Sequence, residues 1–128
     1  MKTYTIRQMS RQTGLSVHTL RYYENIGLIH AVGRDASGYR AYSEADVGWL
    51  QFLLRLRATG MPVSEMKRFA EWRSLGEATA PDRLDMLEAH RLRVEEKIRT
   101  LEGHLERIRE KIGHYRELVR GSDPAPPD

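Results

Sequence analysis

The sequence predicts a mainly α-helical fold: a cluster of short helices with a small β-hairpin, then one long helix that pairs with a second copy. Three observations predict it. Helix start and stop signals are closely spaced in the first 75 residues, a turn-rich segment interrupts them, and an unbroken heptad pattern follows residue 80. We therefore expect a folded domain over 1–75, a dimerisation helix over 76–120 and a disordered tail over 121–128.

Charge is distributed unequally along the 128 residues. Residues 1–75 carry 11 Lys or Arg and 6 Asp or Glu, whereas residues 76–128 carry 10 basic and 12 acidic side chains. A basic segment joined to a charge-balanced one is typical of a polyanion-binding part attached to a part with another task.

Several classes of function are excluded by residues that the chain lacks. It has no cysteine, which excludes disulfides, thiolate metal sites and thiol redox sensing. We find no nucleophile–base pair, no phosphate-binding glycine loop and no metal-ligand cluster, so we expect neither an enzyme nor a bound metal or cofactor. No apolar stretch approaches about 18 residues, and we expect a soluble, cytoplasmic protein without membrane contact.

The first two helices are short and joined by a tight turn. Thr5 and Gln8 form a capping-box pattern that starts the first helix, and Gly14 ends it. Ser16 is a good N-cap for the second helix, which Gly27 stops. Two short helices separated by such a turn predict a helix-turn-helix.

A hairpin and two further helices complete the first domain. The hairpin is predicted from turn residues between short runs of β-branched and aromatic residues; these turn residues are Gly33, Asp35, Ser37 and Gly38. Ser43 with Asp46 starts the third helix, and Gly60 ends it. Pro62 suits the first turn of a fourth helix, which closes near Gly76.

The long final helix carries the clearest periodic signal. Apolar residues recur at alternating spacings of three and four over five heptads, interrupted by Arg91. One narrow apolar stripe on so long a helix cannot be covered by the preceding domain, so we expect it to pack against a second copy. The predicted dimerisation residues are Leu84, Leu87, Val94, Ile98, Leu101, Leu105, Ile108, Ile112, Tyr115 and Val119.

Charges beside this stripe favour an antiparallel pair. One flanking row changes from acidic to basic along the helix: Glu88, Glu95, Glu102, Arg109 and Arg116. An antiparallel pairing can then set Glu95 against Arg116 of the other copy. The opposite row is basic throughout and repels itself in that arrangement: His90, Lys97, His104 and Lys111. A parallel pair would set Lys97 against Glu102 of the other copy but also Lys111 against Arg116. Each surface pair is worth only about a few tenths of a kcal/mol, and the gradient favours an antiparallel dimeric coiled coil.

The second helix of the helix-turn-helix has the composition of a recognition helix. Hydrogen-bonding residues occupy its first turn, followed by Arg and Tyr, which suit base edges and phosphates in a DNA groove. Of the adjacent Tyr22 and Tyr23, we expect one in the core and one facing DNA. The candidate DNA-binding residues here are Ser16, Val17, His18, Thr19, Arg21 and Tyr22, of which Val17 also belongs to the apolar inner side.

The hairpin is interpreted as a basic wing beside this helix. A two-residue period places Arg34, Arg40 and Tyr42 along one side and Tyr39 on the other. Arg and Tyr on a short exposed hairpin would clamp phosphates flanking a groove. Arg57, near the end of the third helix, is a further candidate for a backbone contact.

The strings VHTLRYYENIGLI, RDASGYRAYSEADV and LRATGMPVSEMK, followed by the heptad helix, resemble the MerR family of bacterial transcriptional regulators over residues 3–119. The resemblance implies a winged helix-turn-helix DNA-binding domain and a homodimer joined by an antiparallel coiled coil. It implies DNA contacts by Arg21, Tyr22, Arg34, Tyr39, Arg40 and Arg57. It also implies a pseudo-palindromic promoter operator whose centre the dimer bends and untwists for RNA polymerase.

The regulatory signal is left open by the sequence. Metal-, aldehyde- and redox-sensing members of the family use cysteines, which this chain lacks, and drug-sensing members carry a C-terminal ligand domain, whereas about eight residues follow this helix. One alternative is a small-molecule inducer in a pocket lined by Trp72 and by Tyr115 of the other copy. The other alternative is an architectural winged-helix DNA-bending protein without an inducer.

Overall fold

A computed structural model describes residues 2–30, 33–34 and 36–122. The described elements confirm the predicted mainly helical class. In chain order they are strand β1 (Thr3–Tyr4), helices α1 (Ile6–Thr13) and α2 (Val17–Asn25), strands β2 (Gly33–Arg34) and β3 (Arg40–Ser43), helices α3 (Glu44–Ala58) and α4 (Val63–Ser74), a 3-10 turn (Glu77–Thr79) and helix α5 (Ala80–Ser122). The predicted turn residue Asp35 and residues 123–128 of the predicted tail lie outside the described residues.

The described chain divides into two compact units, which meet between His90 and Arg91. We call residues 2–90 the head and residues 91–122 the distal helix. Met86 and Leu87 in the first part of α5 pack on the head core, so the head includes residues beyond the predicted boundary at residue 75. Helix α5 continues to Ser122. The predicted domain bounds stay a prediction.

Side chains cap the helices where the sequence predicts them. The Thr5 hydroxyl accepts from the Gln8 backbone amide at 3.1 Å, and the Gln8 side chain accepts from the Thr5 amide at 2.8 Å. Ser43 and Asp46 form the same reciprocal pair at the start of α3. At the other end of α1, Gly14 adopts φ 77°, a left-handed conformation that glycine tolerates. These caps fix the turn between α1 and α2.

The sheet has three strands in the order β1-β3-β2, all antiparallel. The predicted hairpin is β2 and β3, in which Arg34 pairs directly with Arg40. Strand β1 adds Thr3 opposite Ser43 on the other side of β3 and was not predicted, because two residues carry no readable alternation. The sheet therefore ties the wing to the start of the chain.

Aromatic and aliphatic side chains from all four short helices enclose the head core. The Trp49 ring stacks on Phe69 with 5.6 Å between centroids, and its indole N–H donates to the Leu28 carbonyl at 2.7 Å. Leu50 and Leu53 of α3 are fully buried. Helix α1 contacts α2, α3 and β3, and α3 also contacts β3. The core therefore fixes the position of α2 relative to the wing.

No such enclosure surrounds the distal helix among the residues that the structure describes. Its apolar stripe is exposed at Ile98, Leu101, Leu105, Ile108, Ile112, Tyr115 and Val119. Two residues nearer the start of α5 contact the head. Leu87 packs on the head core, and His90, which we expected beside the seam, is buried in the head with Nε2 2.7 Å from the Thr59 hydroxyl. None of the helices in the described ranges has the length and apolar character required to cross a lipid bilayer.

Candidate nucleic-acid interface

A cleft of about 840 Å³ opens on the head between α1, α2 and the wing. Each of these elements contributes an arginine: Arg7 from α1, Arg21 from α2, Arg34 from β2 and Arg40 from β3. The other lining residues are Thr5, Ile6, Asn25, Gly38 and Tyr39. Among the described residues no acidic side chain lines the cleft, so its charge suits a polyanion.

The wing presents its two arginines from paired positions at its tip. Arg34 donates from Nη1 to the Gly38 carbonyl at 2.8 Å, which closes the connection between the two strands. Gly38 adopts φ 83°, a conformation that favours glycine. Tyr39, the next residue, is 70% exposed and lines the cleft. The wing thus carries two cations and one exposed aromatic ring close together.

Tyr42 corrects the predicted site. The two-residue period puts Arg40 and Tyr42 on one side of β3, and both do reach one atom, Oε2 of Glu24, at 3.0 and 2.9 Å. Tyr42 is nevertheless only 1% exposed, because its side chain belongs to the head core. The prediction that Tyr42 contacts DNA directly is therefore wrong. Burial, and then the hydrogen bond to Glu24, raise the pKa of the Tyr42 hydroxyl to about 12.

The tyrosine pair of α2 divides between core and surface as predicted. Tyr23 is buried and Tyr22 is half exposed, with 5.9 Å between their ring centroids. Arg57 donates to the Tyr23 hydroxyl, and its guanidinium lies 5.8 Å from the centre of the Tyr23 ring. Arg57 does not line the cleft, and it braces α2 from the end of α3.

The start of α2 is organised by its own cap. The Ser16 hydroxyl accepts from the Thr19 amide at 3.1 Å and donates to the Thr19 hydroxyl at 3.0 Å. His18 and Arg21 are exposed, whereas Val17 is half-buried, consistent with its inner position. Of the predicted DNA-binding residues between Ser16 and Tyr22, Arg21 lines the cleft.

Of the nine described residues that line the cleft, five were not predicted as site residues: Thr5, Ile6, Arg7, Asn25 and Gly38. Arg7 occupies the first turn of α1, which contains no acidic residue, although acidic side chains are favoured at a helix N-terminus. Asn25 is the last residue of α2 and faces the same space. The unusual charge at the start of α1 was the readable signal for Arg7, and nothing in the pattern distinguishes Asn25 from an ordinary helix end.

The described part of the chain contains no group of three His, Asp or Glu side chains able to hold a metal ion. Trp72, which we expected to line an inducer pocket, is half-buried beneath the Arg68 guanidinium, 5.9 Å from the ring centre. Tyr115 is 58% exposed on the distal helix. The pocket between them stays a prediction.

Known proteins resemble this chain over nearly its whole length. The family model described as MerR HTH family regulatory protein matches residues 4–71, and the model described as MerR, DNA binding matches residues 47–111. An uncharacterized HTH-type transcriptional regulator of Haemophilus influenzae is 36% identical over 115 residues, which cover 90% of this chain and 85% of that protein.

Solved structures agree with these matches. The crystal structure of HiNmlR, described as a MerR family regulator lacking the sensor domain, bound to promoter DNA, has a TM-score of 0.83 at 34% identity and covers 93% of this chain and 94% of its own. A MerR family transcriptional regulator from Listeria monocytogenes has a TM-score of 0.87 at 29% identity, with 94% and 92% coverage.

Proposed function

The chain belongs to the MerR family of helix-turn-helix transcriptional regulators, and we propose that it binds a promoter operator as a homodimer, with one head on each half-site. The observation that carries this proposal is the cleft in which α1, α2 and both wing strands each contribute one arginine. Four cations around one concave surface match the closely spaced phosphates of duplex DNA.

The residues of the cleft divide between two tasks. Arg21 and Tyr22 lie on the exposed side of α2, where they can meet base edges and the groove wall. Arg34, Tyr39 and Arg40 stand on the wing, where they would hold the phosphate backbone beside the groove. Arg7 adds a cation from α1 and extends the predicted contact set.

The second copy is the proposed occupant of the exposed stripe on the distal helix. Large apolar side chains continue at heptad spacing as far as Val119, and a contiguous apolar surface of this kind is typical of an interface. The acidic-to-basic order from Glu88 to Arg116 supports an antiparallel pair. The bound pair would present two heads related by a two-fold axis to an inverted-repeat site.

In the proposed mechanism, the dimer holds both half-sites while the base pairs between them are bent and untwisted. Deforming such a centre costs on the order of several kcal/mol and depends on its sequence, so the operator is selected at positions that the protein does not touch. Realigning the promoter elements would then control RNA polymerase, and the protein would act in the cytoplasm.

A second candidate is an architectural DNA-bending protein without an inducer. The similarity to a regulator described as lacking the sensor domain supports it. Transcription in vitro from an operator-bearing promoter with purified RNA polymerase separates the two candidates. A regulator changes the transcript yield, whereas an architectural protein bends the DNA and leaves the yield unchanged.

The DNA-binding surface is tested with a duplex recovered by selection from a random library, about 30 base pairs long so that two half-sites fit. Arg21→Ala and Arg40→Ala should each weaken binding about tenfold or more in fluorescence anisotropy, because a charged hydrogen bond is lost in each head. Each variant should also reduce the slope of log affinity against log salt concentration by about two.

Arg107→Ala is the matched control, because it removes the same charge from the distal helix, where Arg107 is 82% exposed and pairs with Glu110 at 3.4 Å. It should bind within about twofold of the parent. Parent-like binding by both cleft variants, or a selection that recovers no inverted repeat, would show that the proposed surface is not the DNA-binding surface.

A further inference from the structure

We propose that Glu24 is a positioning residue that holds Arg40 over the cleft before DNA arrives, an inference that rests on the proposed DNA-binding function. Glu24 lies in the last turn of α2, and Arg40 lies on β3 of the wing. The ion pair between them, at 3.0 Å, joins the recognition helix to the wing across the edge of the cleft.

The position of the Glu24 carboxylate beside a proposed phosphate-binding surface is unexpected for a negatively charged group. By charge alone, Glu24 repels the DNA backbone and weakens binding. Its geometry supplies the reason, since the Glu24 side chain is 16% exposed and its Oε2 atom accepts from both Arg40 and Tyr42. The carboxylate is therefore turned toward the wing, away from the open cleft.

Arg40 retains the donors that a phosphate requires. A guanidinium has five N–H groups, and the hydrogen bond to Glu24 uses Nη1. The Arg40 side chain is 46% exposed and lines the cleft, so its remaining donors stay available to a ligand there. Ordering a long side chain in advance lowers the entropy cost of binding, which is the benefit that Glu24 would provide.

Tyr42 fixes the carboxylate from the buried side. Its hydroxyl donates to the same Oε2 atom at 2.9 Å, and its ring is held in the core. Glu24 thus accepts hydrogen bonds from the buried Tyr42 hydroxyl and from the half-exposed Arg40 guanidinium. This arrangement links the Arg40 guanidinium, through Glu24, to a side chain that is buried in the head core.

The test compares Glu24→Gln with the parent, Arg40→Ala and the double variant on the selected duplex. Gln keeps the size of the side chain and removes its charge. Glu24→Gln should weaken binding about threefold to tenfold, the range expected from releasing one ordered side chain. In the Arg40→Ala background the same substitution should change affinity less than about twofold, because Glu24 acts through Arg40.

Glu44→Gln is the matched control. It also removes one carboxylate that accepts from a tyrosine, Tyr4 at 3.2 Å, but Glu44 does not line the cleft. This variant should bind as tightly as the parent or slightly more tightly, as expected from lost repulsion. Tyr42→Phe provides a second probe of the same linkage and should weaken binding in the same direction as Glu24→Gln, by a smaller factor.

Several results overturn the inference. They are parent-like or tighter binding by Glu24→Gln, or a Glu24→Gln penalty that persists in the Arg40→Ala background. A preference altered at one base pair would instead make Glu24 a direct reader of cytosine. If Arg40→Ala itself binds like the parent, the proposed DNA surface fails too. If Arg40→Ala weakens binding and Glu24→Gln does not, the positioning role alone is refuted.

Discussion

The head buries its large apolar side chains, whereas the distal helix exposes them. Leu50 and Leu53 of the head have no exposed surface, whereas Leu101 of the distal helix is 66% exposed and Ile108 is 56% exposed. The head encloses its own core with four short helices and a sheet. The distal helix carries an equally regular apolar pattern, and the described chain supplies nothing to cover it.

The difference shows that a hydrophobic pattern predicts burial without saying which chain provides it. At about 25 cal/mol per Å² of apolar surface, the exposed stripe represents a large unused driving force for association. We therefore expect the head to be stable by itself and the distal helix to depend on a second copy. Substitutions in one region should leave the other unchanged.

The largest effect is expected from Leu101→Asp. A carboxylate in the centre of the predicted seam would be buried without a partner in both copies, so the dimer should dissociate at micromolar concentration. Losing the second head should reduce affinity for an inverted-repeat duplex by about 10²–10⁴, the usual gain from bivalent binding. Sedimentation equilibrium and anisotropy measure the two losses.

Thr100→Asp is its control, since Thr100 is exposed and lies outside the seam spacing. It should remain dimeric, and the head of Leu101→Asp should unfold at the same urea concentration as the parent. A Leu101→Asp variant that sediments as a dimer would contradict the role assigned to the distal helix.

A smaller effect is expected from Leu50→Ala in the head. Because this side chain is completely buried in α3, the substitution should cost about 2–5 kcal/mol of unfolding free energy through lost burial and a residual cavity. Leu50→Met, which nearly conserves volume, should cost less than about 1.5 kcal/mol. Urea denaturation measures both. Sedimentation should still show a dimer. A monomeric Leu50→Ala variant would contradict the expectation that the head and the distal helix respond independently to substitution.

The third prediction concerns alkaline pH. The Tyr42 pKa is raised from 10.0 to about 12 in the folded head, so the protonated hydroxyl is favoured there and the unfolded chain releases its proton first. The contribution of Tyr42 to the free energy of unfolding should be fully present below pH 10. The free energy of unfolding should then fall by roughly 2–3 kcal/mol as the pH rises to 12. Urea titrations across this interval test it. Tyr42→Phe should lack this part of the decline, and an identical decline in that variant would exclude Tyr42 as its source.

Helix boundaries were predictable because they depend on neighbours in sequence. The Thr5–Gln8 and Ser43–Asp46 caps, and the left-handed Gly14, follow from local hydrogen bonding and backbone sterics. The division of Tyr22 and Tyr23 between surface and core followed equally from helical geometry. The wing arginines were placed by the same kind of local reasoning.

Features that depend on tertiary packing were not predictable. Alternation put Tyr42 on the same side of β3 as Arg40 but could not reveal that the head core buries it. Heptad spacing placed Leu87 in the predicted dimer seam but could not reveal that it packs on the head core, because the period is the same for either kind of partner. Arg7 joined the cleft only when folding brought α1 beside the wing.

The position of the two tryptophans has a practical consequence. Trp49 is stacked on Phe69 and covered by the Arg73 guanidinium at 4.4 Å, Trp72 is on α4, and the sequence places no other indole in the chain. Tryptophan fluorescence is therefore an optical signal from the head alone. The far-ultraviolet dichroism reports all helices, including the 43-residue α5, so a change in dichroism without a change in tryptophan fluorescence would indicate a change in the distal helix.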